Sequence, residues 1–145
     1  MPSVLDVLTV KGTFVHTTTP DTTVLAATQL MNQHKLGALI VMNGDDVAGI
    51  FTERDVLRRV VAEQRDPSTC KVSDVMTRNV ICCSPDTDLD EVSSIMKERR
   101  VRHVPVCDDQ GRVRGMISIG DVNAYHATHQ EAHIHFLNEY IYGRV

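Results

Sequence analysis

Apolar residues recur along this chain with two different periods, and each period occurs twice. Val24, Ala27, Leu30 and Met31 share one face of a 3.6-residue turn, and so do Leu89, Val92, Ile95 and Met96. This predicts two helices with one buried face each. Each follows an extended stretch that ends at Thr19-Pro20 or Ser84-Pro85, where the residue before proline avoids the α region. A buried strand comes next, Ala38 to Met42 or Val104 to Cys107. A Gly/Asp turn then reverses the chain into a second strand, Val47 to Phe51 or Val113 to Ile117, and that strand runs into a final helix. The predicted order is strand–helix–strand–strand–helix, twice.

The two halves also echo each other residue by residue. Val4-Leu5-Asp6-Val7-Leu8-Thr9 matches Val72-Ser73-Asp74-Val75-Met76-Thr77. Thr19-Pro20-Asp21-Thr22 matches Ser84-Pro85-Asp86-Thr87, 65 positions on. After one residue inserted at the turn, Gly49-Ile50-Phe51-Thr52-Glu53-Arg54-Asp55 meets Gly115-Met116-Ile117-Ser118-Ile119-Gly120-Asp121. Landmarks in one order with near-constant spacing mark an internal repeat.

An α+β fold follows. Each copy is a small sheet with helices over one face, marginal alone at about 60 residues. Packing the copies sheet to sheet about a pseudo-twofold axis buries the second face and leaves two equivalent clefts. We divide the chain as 1–66, first copy with its N-terminal lead-in; 67–127, second copy; and 128–145, a tail helix.

With 42% apolar and 23% charged residues, a packed core is expected. A net charge of −4 excludes a generally basic nucleic-acid binder. No apolar run approaches the roughly 18 residues that span a bilayer, and the N-terminus has no signal-peptide pattern. Four cysteines without CxxC spacing fit a reduced, cytoplasmic protein.

Thr52-x-x-Asp55 and Ser118-x-x-Asp121 stand where a strand becomes a helix. This spacing is that of a capping box. The same geometry suits a ligand: a helix start attracts phosphate, and an ionised aspartate accepts from both hydroxyls of a ribose. Gly49 and Gly115 suit close strand packing. The copies differ in charge. The second carries Arg99, Arg100, Arg102 and His103 where the first has His34, Lys35, Gly37 and Ala38; Arg54 stands beside the first aspartate, where the second copy has Gly120. Arginine forks match phosphate oxygens, so the Asp55 cleft is expected to hold a di- or triphosphate more tightly. The alternative is a solvated helix end.

The Gly-x-x-Thr/Ser-x-x-Asp runs, the stretch Val101-Arg102-His103-Val104-Pro105-Val106 and the Val-x-Asp-Val-Met-Thr lead-in together resemble a tandem pair of cystathionine-β-synthase-type (CBS) domains, from Val4 to about Ala127. The tail, Ile134 to Gly143, looks like the C-terminal helix of small stand-alone bacterial CBS pairs. The resemblance implies binding of adenosine ligands (AMP, ADP, ATP, sometimes NAD or S-adenosylmethionine) and assembly as dimers of flat discs. By resemblance, the site of Thr52 and Asp55 is completed by Arg78, Val101, Arg102 and His103. The site of Ser118 and Asp121 is completed by Thr13, Leu36, Gly37 and Ala38. Ile50 and Met116 look like apolar walls for the purine.

No nucleophile arrangement, Gly-rich phosphate loop or dinucleotide fingerprint is present, so no catalysis and no bound cofactor is expected. The expected function is a regulatory adenine-nucleotide sensor of energy or redox state, acting in trans on an unidentified protein partner. The rival is a ligand-free oligomeric scaffold. His126, His129 and His133 share a helical face, with His135 following, and are read as a solvated or oligomer-contact face rather than a metal site. Cys82 and Cys83 point to opposite faces, at least one of them into the core. Phe136, Leu137, Tyr140 and Ile141 form an apolar set that suggests either a surface for a second copy of the chain or docking onto the chain's own core.

Overall fold

The structure, a computed structural model, describes residues 2–129. The first copy comprises α1 (Val4–Lys11), β1 (Thr17–Thr18), α2 (Val24–His34), β2 (Ala38–Asn43), β3 (Asp46–Thr52) and α3 (Glu53–Asp55), which continues as a π-turn over Val56–Val61. The second comprises α4 (Val72–Val75), α5 (Leu89–Arg99), β4 (His103–Cys107), β5 (Val113–Ser118) and a helix, α6, over residues 119–129. The tail set Phe136, Leu137, Tyr140 and Ile141, with His133 and His135, lies outside the described residues.

The helices form where the apolar stripes predict them. α2 buries Val24, Ala27 and Met31, and α5 buries Leu89, Val92 and Met96. Thr23 caps α2 by accepting from Ala26 N–H, and Asp88 caps α5 by accepting from Asp90 N–H. Both helices end in a left-handed residue that is not glycine, Lys35 and Arg100, each at φ 55°.

The first sheet has the order β1-β2-β3, with β1 parallel and β3 antiparallel to β2. The second sheet has only β4 antiparallel to β5. The extended stretch expected as its third strand makes a single parallel bridge, Cys83 to Val106. Proline supplies the reason: Pro105 stands where the first copy has Ile40, and without an N–H it cannot extend the ladder. Both long pairings carry an irregularity at the matching place, Val41/Met42 and Val106/Cys107.

The lead-ins, which the sequence pattern marks only as a shared motif, are helices, and they are exchanged. Val4, Val7 and Leu8 of α1 join the core built by α5, β4 and β5. Val72, Val75 and Met76 join the core of α2, β2 and β3. Backbone bonds secure the exchange: Val4 N–H donates to Thr87 O at 2.9 Å, and Val72 N–H to Thr22 O at 2.8 Å.

Alternation along the strands fills both faces of the sheets. Leu39, Val41 and Phe51 point into the first core, while Ala38, Ile40 and Ile50 are buried on the opposite face. Val104, Val106 and Ile117 point into the second core, and Pro105 is buried on the other side. These second faces pack sheet to sheet between the copies. Cys70, Cys83 and Val122 are buried as well. Cys83 belongs to the second core, and that burial pushes its thiol up to about 11; its neighbour Cys82 is exposed.

Candidate functional site

β3 delivers the chain into α3 at Thr52, and this junction builds the site. The Thr52 hydroxyl oxygen accepts from Asp55 N–H at 3.3 Å. Asp55 Oδ2 accepts from Thr52 N–H at 2.9 Å and from its hydroxyl at 3.2 Å. The capping box is therefore fully made, and it uses one carboxylate oxygen. The other, Oδ1, faces Arg59 Nε at 3.8 Å, longer than a hydrogen bond, and keeps its acceptor capacity. Cap and ligand site are thus compatible in one side chain. Burial raises the Asp55 carboxyl above the usual aspartate range; the Thr52 N–H, the Arg59 charge and the Thr52 and Thr77 hydroxyls oppose this without cancelling it.

Asp55 opens into a cleft of about 360 Å³ between the copies. Ile50, Val80, Ile81 and Val101 give it apolar walls. Arg54, Arg58 and Arg59 reach it from the first copy, and Arg99, Arg100 and Arg102 from the α5–β4 turn of the second. Arg59 is anchored by donating to Val75 O and Met76 O at 2.9 and 3.1 Å, so it fixes the lead-in α4 against the site. His103 stands at the base; burial, then the nearby Lys11 charge, lowers its imidazole below the ordinary range. A Cβ at Gly37 would meet Glu53 Oε1 at 2.9 Å and His103 Cε1 at 3.3 Å, so the backbone comes close here. Glu53 N–H is spent on Gly37 O at 3.1 Å. With that N–H and the Thr52 hydroxyl engaged, Arg54, Arg58, Arg99, Arg100 and Arg102 are charged donors that line the cleft beside Asn79.

The second junction repeats the box: Ser118 N–H donates to Asp121 Oδ2 at 2.8 Å, and Asp121 N–H to Ser118 Oγ at 3.0 Å. Its surroundings differ. Lys11 Nζ lies 2.6 Å from Asp121 Oδ2 and donates to Met116 O at 2.7 Å. Burial would raise the Asp121 carboxyl, but the Lys11 ammonium and the Ser118 N–H outweigh it and hold it below the usual value. Near the end of α2, His16 stacks on His34 at 4.1 Å between ring centres, and Phe14 meets His16 edge-on at 4.8 Å.

Of the residues expected around Asp55, the cleft brings together Ile50, Thr52, Arg54, Val101, Arg102 and His103. Arg78 does not line it; its guanidinium donates to Ser73 O at 2.8 Å. Gly37, expected at the Asp121 site, lines the Asp55 cleft instead. It stands against Glu53 of the first copy and His103 of the second. Thr13 is exposed, Leu36 packs against the first core, and Ala38 is buried between the sheets. Sequence reasoning missed Arg58 and Arg59 as lining residues, although they fall one helical turn after Arg54 and Asp55. It counted Arg99 and Arg100 only as charge. Lys11 carried no signal. Among the described residues, no group of three His, Cys, Asp or Glu side chains is placed to hold a metal ion; His129 stacks on Tyr125 at 4.0 Å.

The family profile described as "CBS domain" matches residues 9–62 and again residues 72–127. The chain is 38% identical over 130 residues to "CBS domain-containing protein CBSX3, mitochondrial" of Arabidopsis thaliana, covering 86% of this chain and 63% of that protein. Among solved structures it is similar to the CBS-domain containing protein ATU1752 from Agrobacterium tumefaciens, with a TM-score of 0.82, 39% identity, and 86% and 99% of the two chains covered. It shares its fold with the CBS domain pair of protein MJ0100, solved in complex with 5′-methylthioadenosine and S-adenosyl-L-methionine, with a TM-score of 0.79, 24% identity, and 88% and 98% covered.

Proposed function

Because this chain belongs to the CBS-domain family, with two CBS domains in tandem, we propose that it is a regulatory module for an adenosine nucleotide. AMP, ADP, ATP or NAD would bind between the copies, and the bound state would act in trans on a partner protein. One observation carries this reading. Asp55, only 5% exposed, opens its carboxylate into an apolar-walled cleft that is also lined by arginines from both copies. Its volume falls in the range of small-molecule sites.

Each part of a nucleotide finds suitable chemistry there. Asp55 Oδ1 accepts from the vicinal ribose hydroxyls, a charge-assisted bond. Ile50, Val80, Ile81 and Val101 take the flat purine. Arg54 and Arg58 from one copy, with Arg99, Arg100 and Arg102 from the other, take the phosphates. A ligand held this way ties the copies together, and its loss frees them to shift. Both ligands named for MJ0100 contain adenosine, in keeping with this class.

A homodimer of discs fits one further feature. Leu57 and Val61, 62% and 63% exposed, lie one turn apart on the helix that carries Arg54 and Arg58. The same feature favours the second reading, an oligomeric scaffold without ligand.

A thermal-shift screen with AMP, ADP, ATP, NAD and S-adenosylmethionine separates the two. A ligand at 100 times its Kd should add roughly 2.7 kcal/mol, and Asp55→Asn should abolish the shift. Stability unmoved by every compound supports the scaffold; turnover of a nucleotide would point to an enzyme.

A further inference from the structure

The strands of the second copy sort its cysteines by face. Cys83 and Val106 form the parallel bridge, in which Cys83 N–H donates to Pro105 O at 2.9 Å and Cys107 N–H to Cys83 O at 2.8 Å. Both bridge residues point into the second core. Side chains alternate along an extended chain, so Cys82 and Cys107, each one position from the bridge, share the opposite face. The register sets them diagonally, and their side chains span the diagonal: besides burial, a hydrogen bond with Cys82 and the Cys82 charge push the Cys107 thiol up to about 12. The irregularity at Val106/Cys107 falls at this place, and such irregularities re-aim a side chain. Cys82 is exposed and Cys107 half-buried. The fourth thiol, Cys70, is buried in the first core.

We propose that Cys82 and Cys107 are a dithiol modification site, which a low-molecular-weight disulfide such as oxidised glutathione converts into a reversible intramolecular disulfide. Cys82, the thiol that solvent reaches, gives up its proton and attacks one sulfur of the oxidant. The oxidant's S–S bond breaks, and one glutathione leaves as a thiolate and takes up a proton. With the Cys82 sulfur held in a mixed disulfide, its charge no longer opposes ionisation of Cys107. Cys107 then gives up its proton and attacks Cys82 Sγ. The bond from Cys82 to glutathione breaks, and the second glutathione leaves and is protonated. Two protein thiols are oxidised, and one glutathione disulfide is reduced to two thiols. Cys83 takes no part, because it faces the core. A bond formed at an exposed sulfur stays open to reduction, as a switch requires. Cys82 directly follows Val80 and Ile81, which wall the Asp55 cleft, so the disulfide ties that wall to β4.

The reduced full-length chain, incubated with excess oxidised glutathione and desalted, tests this. Of the four thiols, the denatured wild type should lose two, with no glutathione retained, and dithiothreitol should restore all four. Cleavage after lysine and arginine without reduction should yield peptide 79–97 joined to peptide 103–112, and fragmentation should place the bond at Cys82. Cys107→Ser should stop at one glutathione carried on Cys82, and Cys82→Ser should keep its three thiols. A wild type that retains glutathione on Cys82, a bond through Cys83, or a covalent dimer through Cys82 each overturns the proposal. Amide hydrogen exchange over residues 79–82 should slow in the oxidised chain, and unchanged exchange overturns the tether on the cleft wall.

Discussion

A β-carbon on Gly49 would lie 2.6 Å from the carbonyl oxygen of Thr77 and 2.9 Å from Met76 Sδ. The two backbone bonds between Ile50 and Thr77 fix that approach, so the strand and the exchanged lead-in cannot part without breaking them. At the matching position, a Cβ on Gly115 would meet Leu8 Cδ2 at 3.0 Å, the flexible end of a side chain. Gly49→Ala should therefore destabilise by about 2–3 kcal/mol and Gly115→Ala by about 1 kcal/mol or less, the two ends of the overpacking range. Urea denaturation of both variants measures this, and equal losses would mean that the floor of the Asp55 cleft yields as readily as Leu8.

The two aspartates should respond to pH with opposite signs. Asp55 is raised above 3.8 by burial, so its contribution is present at low pH and lost as pH rises through its folded value. Asp121 is held below 3.8 by Lys11 and Ser118 against its own burial. Its contribution is present above 3.8 and lost as pH falls through its folded value. At neutral pH, Asp121→Asn should be less stable than wild type, and Asp55→Asn no less stable. Lys11 is 37% exposed, so the Asp121 effect should stay within about 1 kcal/mol. Urea midpoints measured at neutral pH and again below 3.8 check the sign: the Asp121→Asn deficit should shrink in acid.

Lys35 and Arg100 end their helices at φ 55°, a conformation that costs a side-chain-bearing residue roughly 1–2 kcal/mol and glycine little. Lys35→Gly should raise stability by up to about 1 kcal/mol once the looser unfolded chain is counted, a Tm gain of roughly 3 °C. Arg100→Gly should gain the same stability and lose affinity for ATP, because Arg100 lines the cleft. A calorimetric Tm for each and an ATP titration of the second separate the two effects. Unchanged ATP affinity would take Arg100 out of the phosphate site.

Periodicity made the frame of the fold legible. The stripes Val24–Met31 and Leu89–Met96 fall on α2 and α5, and the apolar runs fall on β2 and β4. It did not reveal which core a lead-in serves, because Val4 and Val72 are alike in sequence and only the chain path sends them to opposite copies. It also overstated the second sheet, since a single proline at 105 ends a ladder that the pattern of its neighbours continues. The hydroxyl–aspartate boxes were legible as caps from their spacing, and both caps are made. Lys11 was not: an exposed lysine at a helix end has no pattern to distinguish it, and its meeting with Asp121, 110 positions away, is set by the exchange of α1.

The charge contrast between the copies predicts what Arg102 does. Its side chain lines the cleft, and its carbonyl, which accepts from Ile119 N–H at 2.8 Å, holds the backbone in place whatever the side chain. Arg102→Ala should thus remove a phosphate donor without moving the turn. A charged hydrogen bond at a partly exposed site corresponds to about a tenfold change in Kd. ATP should weaken by about that factor, while adenosine, which has no phosphate, should weaken by less than about twofold. Titrations of both ligands against both proteins distinguish this from a collapsed site, in which the two would weaken together. Added salt should cost the wild type more ATP affinity than it costs Arg102→Ala, since one screened contact is already gone.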